Sequence, residues 1–169
     1  TREQLLAPSL DGEAVVSGYH PDNVGPALFG GITLFTGPSV DRMTRLPVPE
    51  NLHLALVTPD VVVKTAEARA VLPEKVTMKE MINQTAGTAL LVDALYRGDI
   101  HALGRAMESD RVIEPARAYL MPYFHTIREK AKQAGAHGLV ISGAGPTLLA
   151  VCDDAQTAAN VAGVMHQIY

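Results

Sequence analysis

Apolar and polar positions follow a regular pattern most clearly in the later part of the chain. Residues 52–58 alternate as a half-buried strand does, and Val61-Val62-Val63 reads as a short extended run. Thr65 can cap a brief helix that Pro73 stops. Thr77-Met78-Lys79-Glu80 is a capping-box pattern, and Met78, Met81, Ile82, Thr85, Ala89 and Val92 then keep helical spacing up to Gly98. Asp99 can cap the next helix, with Ile100, Leu103 and Met107 on one face. Pro115 and Pro122 suit the first turn of a helix and not its interior, so two short helices with a break are expected, the second ending at Gly135. Residues 138–142 and 147–152 read as strands around the tight turn Gly143-Ala144-Gly145-Pro146. Asp153 or Asp154 can cap a last helix with Ala158, Val161, Ala162, Met165 and Ile168 on one stripe.

The first stretch is less regular. Residues 1–6 can finish a helix that Pro8 interrupts, and Gly12, Gly18, Pro21, Gly25 and Pro26 then punctuate the chain up to the Gly30-Gly31 pair. Ile32-Thr33-Leu34-Phe35-Thr36 reads as a strand between Gly30-Gly31 and Gly37-Pro38, and residues 39–50, with Pro47 and Pro49, read as a connection. A boundary there gives two parts, 1–48 and 49–169. The order of elements predicts an α+β fold, with 49–169 as a two-layer, ferredoxin-like sandwich of split β-α-β type. That topology calls for a closing strand after the last helix, and residues up to Tyr169 supply none.

Composition narrows the function classes. Among 169 residues, 47% are hydrophobic and 19% charged, so a core forms and a disordered tail is excluded. A net charge of −4 without a Lys/Arg block argues against nucleic acid and anionic membranes as partners. Cys152 is the single cysteine, which excludes an internal disulfide framework and fits a cytoplasmic protein. No apolar run has the length of a membrane span, and the opening residues do not resemble a signal peptide.

Candidate chemistry gathers in a few segments. Ser142-Gly143-Ala144-Gly145-Pro146-Thr147 is either a hairpin that needs glycine to turn or a loop whose N–H groups face an anion. Tyr19-His20-Pro21-Asp22-Asn23-Val24 reads as a loop placing a His, an Asp and an Asn close together, with an Asx-turn as the plain alternative. Glu13 is either a surface glutamate or an oxygen ligand for Mg²⁺. Arg69 and Arg117 carry the forked donors that match a small carboxylate, although most arginines are surface charges. The histidines at 53, 101, 125, 137 and 166 show no metal-ligand spacing in sequence.

Five segments in one order carry a family resemblance: the 19–24 segment, Phe29-Gly30-Gly31, Thr65-Ala66-Glu67-Ala68-Arg69-Ala70-Val71-Leu72-Pro73, Val112-Ile113-Glu114-Pro115-Ala116-Arg117, and residues 141–147. Together they resemble the later two-thirds of the bacterial homoserine kinases. These belong to the superfamily of galactokinase, homoserine kinase, mevalonate kinase and phosphomevalonate kinase. The glycine motif is shared by the superfamily, and the other segments point to homoserine kinase.

The resemblance implies transfer of the ATP γ-phosphoryl group to the hydroxyl of L-homoserine, giving O-phospho-L-homoserine for threonine biosynthesis. It implies that Asp22, Asn23, Arg69 and Arg117 hold the substrate, the arginines on its carboxylate, with His20 and Thr65 close by. Glu13 would be the Mg²⁺ carboxylate, and Gly143, Ala144, Gly145 and Thr147 would lie near the nucleotide phosphates. No residue is assigned as a general base. The family's N-terminal motif and phosphate loop have no counterpart here. Residues 1–48 are therefore expected to be the tail of an ATP-binding domain, and the isolated chain is expected to have little kinase activity. A homodimer is an expectation from the family alone. The alternatives are another small-molecule kinase of the superfamily and a non-catalytic amino-acid-binding module.

Overall fold

Gln4 N donates to Thr1 Oγ1 while the Thr1 amino group donates to the Gln4 side chain at 2.6 Å, a capping box that opens the first helix. In the computed structural model, which describes residues 1–15 and 18–169, this helix α1 runs Arg2–Ala14, straight through Pro8. The expected interruption does not occur. A proline inside a helix costs about 3 kcal/mol. Leu6 and Leu10 flank it, and both are buried in a small cluster with Phe29. Burying a leucine contributes about 1.5–3 kcal/mol, so the pair offsets that cost.

Helix α2 (Pro21–Phe29) follows, then strand β1 (Ile32–Phe35). The segment expected to be a bare connection contains strand β2 (Met43–Leu46), which pairs antiparallel with β1 in the register Ile32↔Leu46 to Phe35↔Met43. The prolines lie outside these four residues, so nothing blocks pairing. These elements form one compact unit, Thr1–Val48, and the remainder forms a second, Pro49–Tyr169.

The second unit begins with β3 (His53–Val57), then α3 (Thr65–Ala70), α4 (Met78–Arg97), α5 (Ile100–Met107) and α6 (Ile113–Arg117). A single-turn 3-10 segment leads to α7 (Phe124–Gln133), the strands β4 (Gly138–Ile141) and β5 (Leu148–Cys152), and α8 (Ala155–His166). Residues 61–63, expected to be extended, belong to no strand. Lys64 occupies the cap position of α3, so Thr65 is its first helical residue and not its cap. The Thr77 capping box, the Asp99 cap and the Asp154 cap form as the sequence predicts.

The three strands make an antiparallel sheet in the order β3-β5-β4. Alternation on β3 buries Ala55 and Val57 and leaves Leu54 and Leu56 on the other face. The buried face packs with α7 and α8 through Ile127, Ala131, Leu139, Leu148, Val161 and Met165. The fold is therefore α+β, with small antiparallel sheets. No described helix is long and apolar enough to cross a membrane.

Candidate functional site

Within the second unit the site is built around α6. Asp110 opens it: Oδ1 accepts from Val112 N and Ile113 N at 2.8 and 2.9 Å, and Oδ2 accepts from Glu114 N at 2.8 Å. Gln84 Nε2 on α4 donates to the same carboxylate at 2.8 Å. Partial burial pushes the Asp110 carboxyl upward, but these donors outweigh it and hold it below the usual aspartate range. Asp110 was not among the sequence candidates, although an aspartate just ahead of a proline-bearing helix start is a recognisable turn signal.

Glu114 is the one buried charged residue among those described, 8% exposed. It pairs with Arg128 Nη2 and accepts from Ile141 N at 3.3 Å. Arg128 also donates to the Leu139 carbonyl from Nε and Nη2, at 3.0 and 2.8 Å, and lies over the Phe124 ring. Glu108 completes the set, accepting from Leu139 N at 3.0 Å and from Lys132 Nζ at 2.6 Å. β4 is an edge strand, and these three side chains satisfy the backbone groups that its partner β5 does not. The strand leading into the glycine turn is held on both sides.

Arg117, at the end of α6, joins the candidate segments. Its Nε donates to the Ala68 carbonyl at 2.8 Å and its Nη1 to the Gly143 carbonyl at 3.1 Å. The helix bearing Thr65 and Arg69 and the glycine turn are thus tied through one guanidinium. A cavity of about 290 Å³, lined by Leu91, Met107, Ile113, Glu114, Arg117 and Gly143 among others, lies beside it.

The turn itself closes with Ser142 N on the Thr147 carbonyl and Gly145 N on the Ser142 carbonyl, both at 2.9 Å. Gly143 and Gly145 have φ of +58° and +84°, so glycine suits both positions. A Cβ on Gly145 would run into Met121, whereas one on Gly143 would meet nothing within 4 Å. The Thr147 hydroxyl is hydrogen-bonded to that of Thr58 at 2.8 Å.

In the first unit the 19–24 segment is not a loop throughout. His20 is the cap position of α2, and Asp22 and Asn23 lie in its first turn. Asn23 N and Val24 N both donate to the His20 carbonyl, at 3.0 and 3.1 Å. Pro21 at the first helical position starts the helix, and Asp22 complements its N-terminal dipole. Asp22 and Asn23 are exposed, His20 partly buried, and Glu13 lies in the last turn of α1. The structure thus groups His20, Asp22 and Asn23 at one helix start, and Arg117, Gly143 and the helix of Thr65 and Arg69 in the other unit.

Residues 91–169 match the family model of the GHMP kinases' C-terminal domain. Over most of its length the chain is similar to homoserine kinases. It is 41% identical over 153 residues to the homoserine kinase of Arabidopsis thaliana, covering 89% of this chain and 41% of that protein. The homoserine kinase of Haloarcula marismortui is 40% identical over 153 residues, with 90% and 50% covered. The crystal structure of homoserine kinase from Cytophaga hutchinsonii superposes with a TM-score of 0.92 at 34% identity, covering 99% of this chain and 53% of that one. An L. major mevalonate kinase structure shares the fold, with a TM-score of 0.76 at 19% identity. The family read from the five segments is borne out. The chain spans about half the length of the relatives it matches, less than the two-thirds expected.

Proposed function

We propose that this chain supplies the homoserine-binding part of an ATP-dependent kinase that phosphorylates the side-chain hydroxyl of L-homoserine, on the route to threonine. The observation that carries this reading is Arg117, whose two bonds hold the Arg69 helix and the glycine turn together. The rest of its donor fork suits a carboxylate, and so does that of Arg69. Identity near 40% to homoserine kinases from a plant and an archaeon supports the choice of substrate within the superfamily.

In this reading residues 1–48 belong to an ATP-binding domain and 49–169 to the substrate side. This reading assigns substrate contacts to Asp22 and Asn23, with His20 nearby, in the first unit, and to Arg69 and Arg117, with Thr65 nearby, in the second. Mg²⁺ keeps several waters and takes only one or two protein carboxylates beside substrate phosphates. Glu13, in the last turn of α1, is the single carboxylate that this reading assigns to the ion. ATP supplies the phosphoryl group, which passes to the homoserine oxygen as the bond to the bridging oxygen breaks, ADP leaves and the hydroxyl proton passes by way of a phosphate oxygen to solvent. The chain's residues position the acceptor: the arginines fix the carboxylate, and the Gly143–Thr147 turn bounds the phosphate side. We assign no residue as general base. A cytoplasmic location and a homodimer belong to the same reading.

Isothermal titration of the chain with L-homoserine and then with Mg-ATP tests this. The expected result is homoserine binding that Arg117→Ala weakens, with little or no ATP binding. Tight Mg-ATP binding without homoserine binding contradicts the division of labour.

A further inference from the structure

The sheet end remote from the glycine turn holds a second grouping. His101 lies in the first turn of α5, His137 directly precedes β4, and Asp153 directly follows β5. The two imidazole rings lie 3.8 Å apart between centroids, with their planes inclined by 48°. One ring nitrogen from each histidine and a carboxylate oxygen of Asp153 all lie within 4.8 Å of one another. His137 Nε2 is sealed from solvent and lies 3.2 Å from Asp153 Oδ1.

Each part is held by its own backbone. His137 N donates to the Val151 carbonyl at 2.9 Å. Gly104 lets α5 touch the His137 carbonyl, where any Cβ would collide. Asp154 is occupied as the cap of α8, accepting from Thr157 N at 2.8 Å and Thr157 Oγ1 at 2.5 Å. Asp153 is thereby the aspartate of the pair that turns to His137. Cys152 is not a donor here, since it is fully buried in the core and burial pushes its thiol up to about 11.

Three lone-pair donors therefore converge, and a single proton can satisfy only one pair of them. We propose that His101, His137 and Asp153 form a site for a divalent transition metal of the zinc class, joining α5 to the far end of the β4–β5 hairpin. Two imidazoles and one carboxylate suit zinc, which takes N and O ligands at about 2.0–2.2 Å. They suit Mg²⁺ poorly, because that ion prefers oxygen. His101 and Asp153 are exposed and His137 less so, which leaves the two outer side chains room to turn toward an ion. Three protein ligands leave a fourth position for water or an exogenous ligand.

The test is calorimetric titration of the tag-free, metal-stripped chain with ZnCl₂ and, separately, MgCl₂. One zinc binds per chain and magnesium does not. His101→Ala and Asp153→Asn each weaken zinc binding about tenfold or more. His125→Ala, on the exposed side of α7, leaves it unchanged. The Co²⁺-loaded chain shows visible bands of a nitrogen and oxygen site without thiolate charge transfer. Absence of saturable zinc binding, wild-type affinity in both ligand variants, or a thiolate band would overturn the assignment.

Discussion

Arg117 Nε donates to the carbonyl oxygen of Ala68 at 2.8 Å, so a guanidinium on one short helix fixes the backbone directly beside Arg69 on another. The same side chain reaches the Gly143 carbonyl. Arg117 is in this account both a strut and a ligand-binding group.

In the complete protein, Arg69→Ala weakens homoserine binding by about 1.5–3 kcal/mol, the range for a lost charge-assisted contact, and leaves ATP affinity nearly unchanged. Arg117→Ala weakens homoserine binding and also lowers stability, by about 1–3 kcal/mol. Calorimetric titration of both variants reads the first effect, and urea unfolding of Arg117→Ala reads the second. A loss confined to ATP affinity would put these residues on the wrong ligand.

Glu114→Ala removes the partner of Arg128 in a largely desolvated pair. Breaking such a pair costs about 3–5 kcal/mol. Arg128 keeps the Leu139 carbonyl and lies 3.6 Å from Glu108, which places the loss near the lower end. The urea midpoint of the chain reads it, and Glu114→Gln recovers part of it.

Asp110 makes stability depend on acid. Its folded carboxyl is held below the ordinary value of 3.8, so its contribution is complete above that value and fades as the pH falls through the folded one. Asp110→Asn is predicted to cost about 1–3 kcal/mol at neutral pH, with the gap between variant and wild type closing below about pH 4. Unfolding curves at a series of pH values test the sign. A gap that widens in acid contradicts it.

Alanine at the two turn glycines should behave differently. Gly143→Ala meets open space and carries only the cost of a left-handed backbone, about 1–2 kcal/mol. Gly145→Ala carries that cost plus a collision with Met121, where overpacking adds about 1–3 kcal/mol. Thermal midpoints of the two variants give the order directly.

The sequence shows most clearly those elements whose signals are local. The capping box at Thr77, the helix it opens, and the hairpin around residues 143–146 rest on neighbouring residues and form as read. Pro8 misleads because the burial of Leu6 and Leu10 outweighs a local penalty. β2 hides because its four residues become a strand only through pairing with β1. The candidate arginines and glycines were legible through motif order, but the link from Arg117 to Ala68 and Gly143 was not, since it joins segments far apart in the chain. The same holds for Asp110 with Gln84, and for His101 with His137, whose sequence spacing suggests nothing.

The most direct test of the central claim is ADP release by the complete protein, measured with Mg-ATP and either L-homoserine or R-mevalonate. Turnover with homoserine that Arg69→Ala depresses strongly is expected, and little or none with mevalonate. Equal turnover on the two substrates, or none with homoserine, would contradict it.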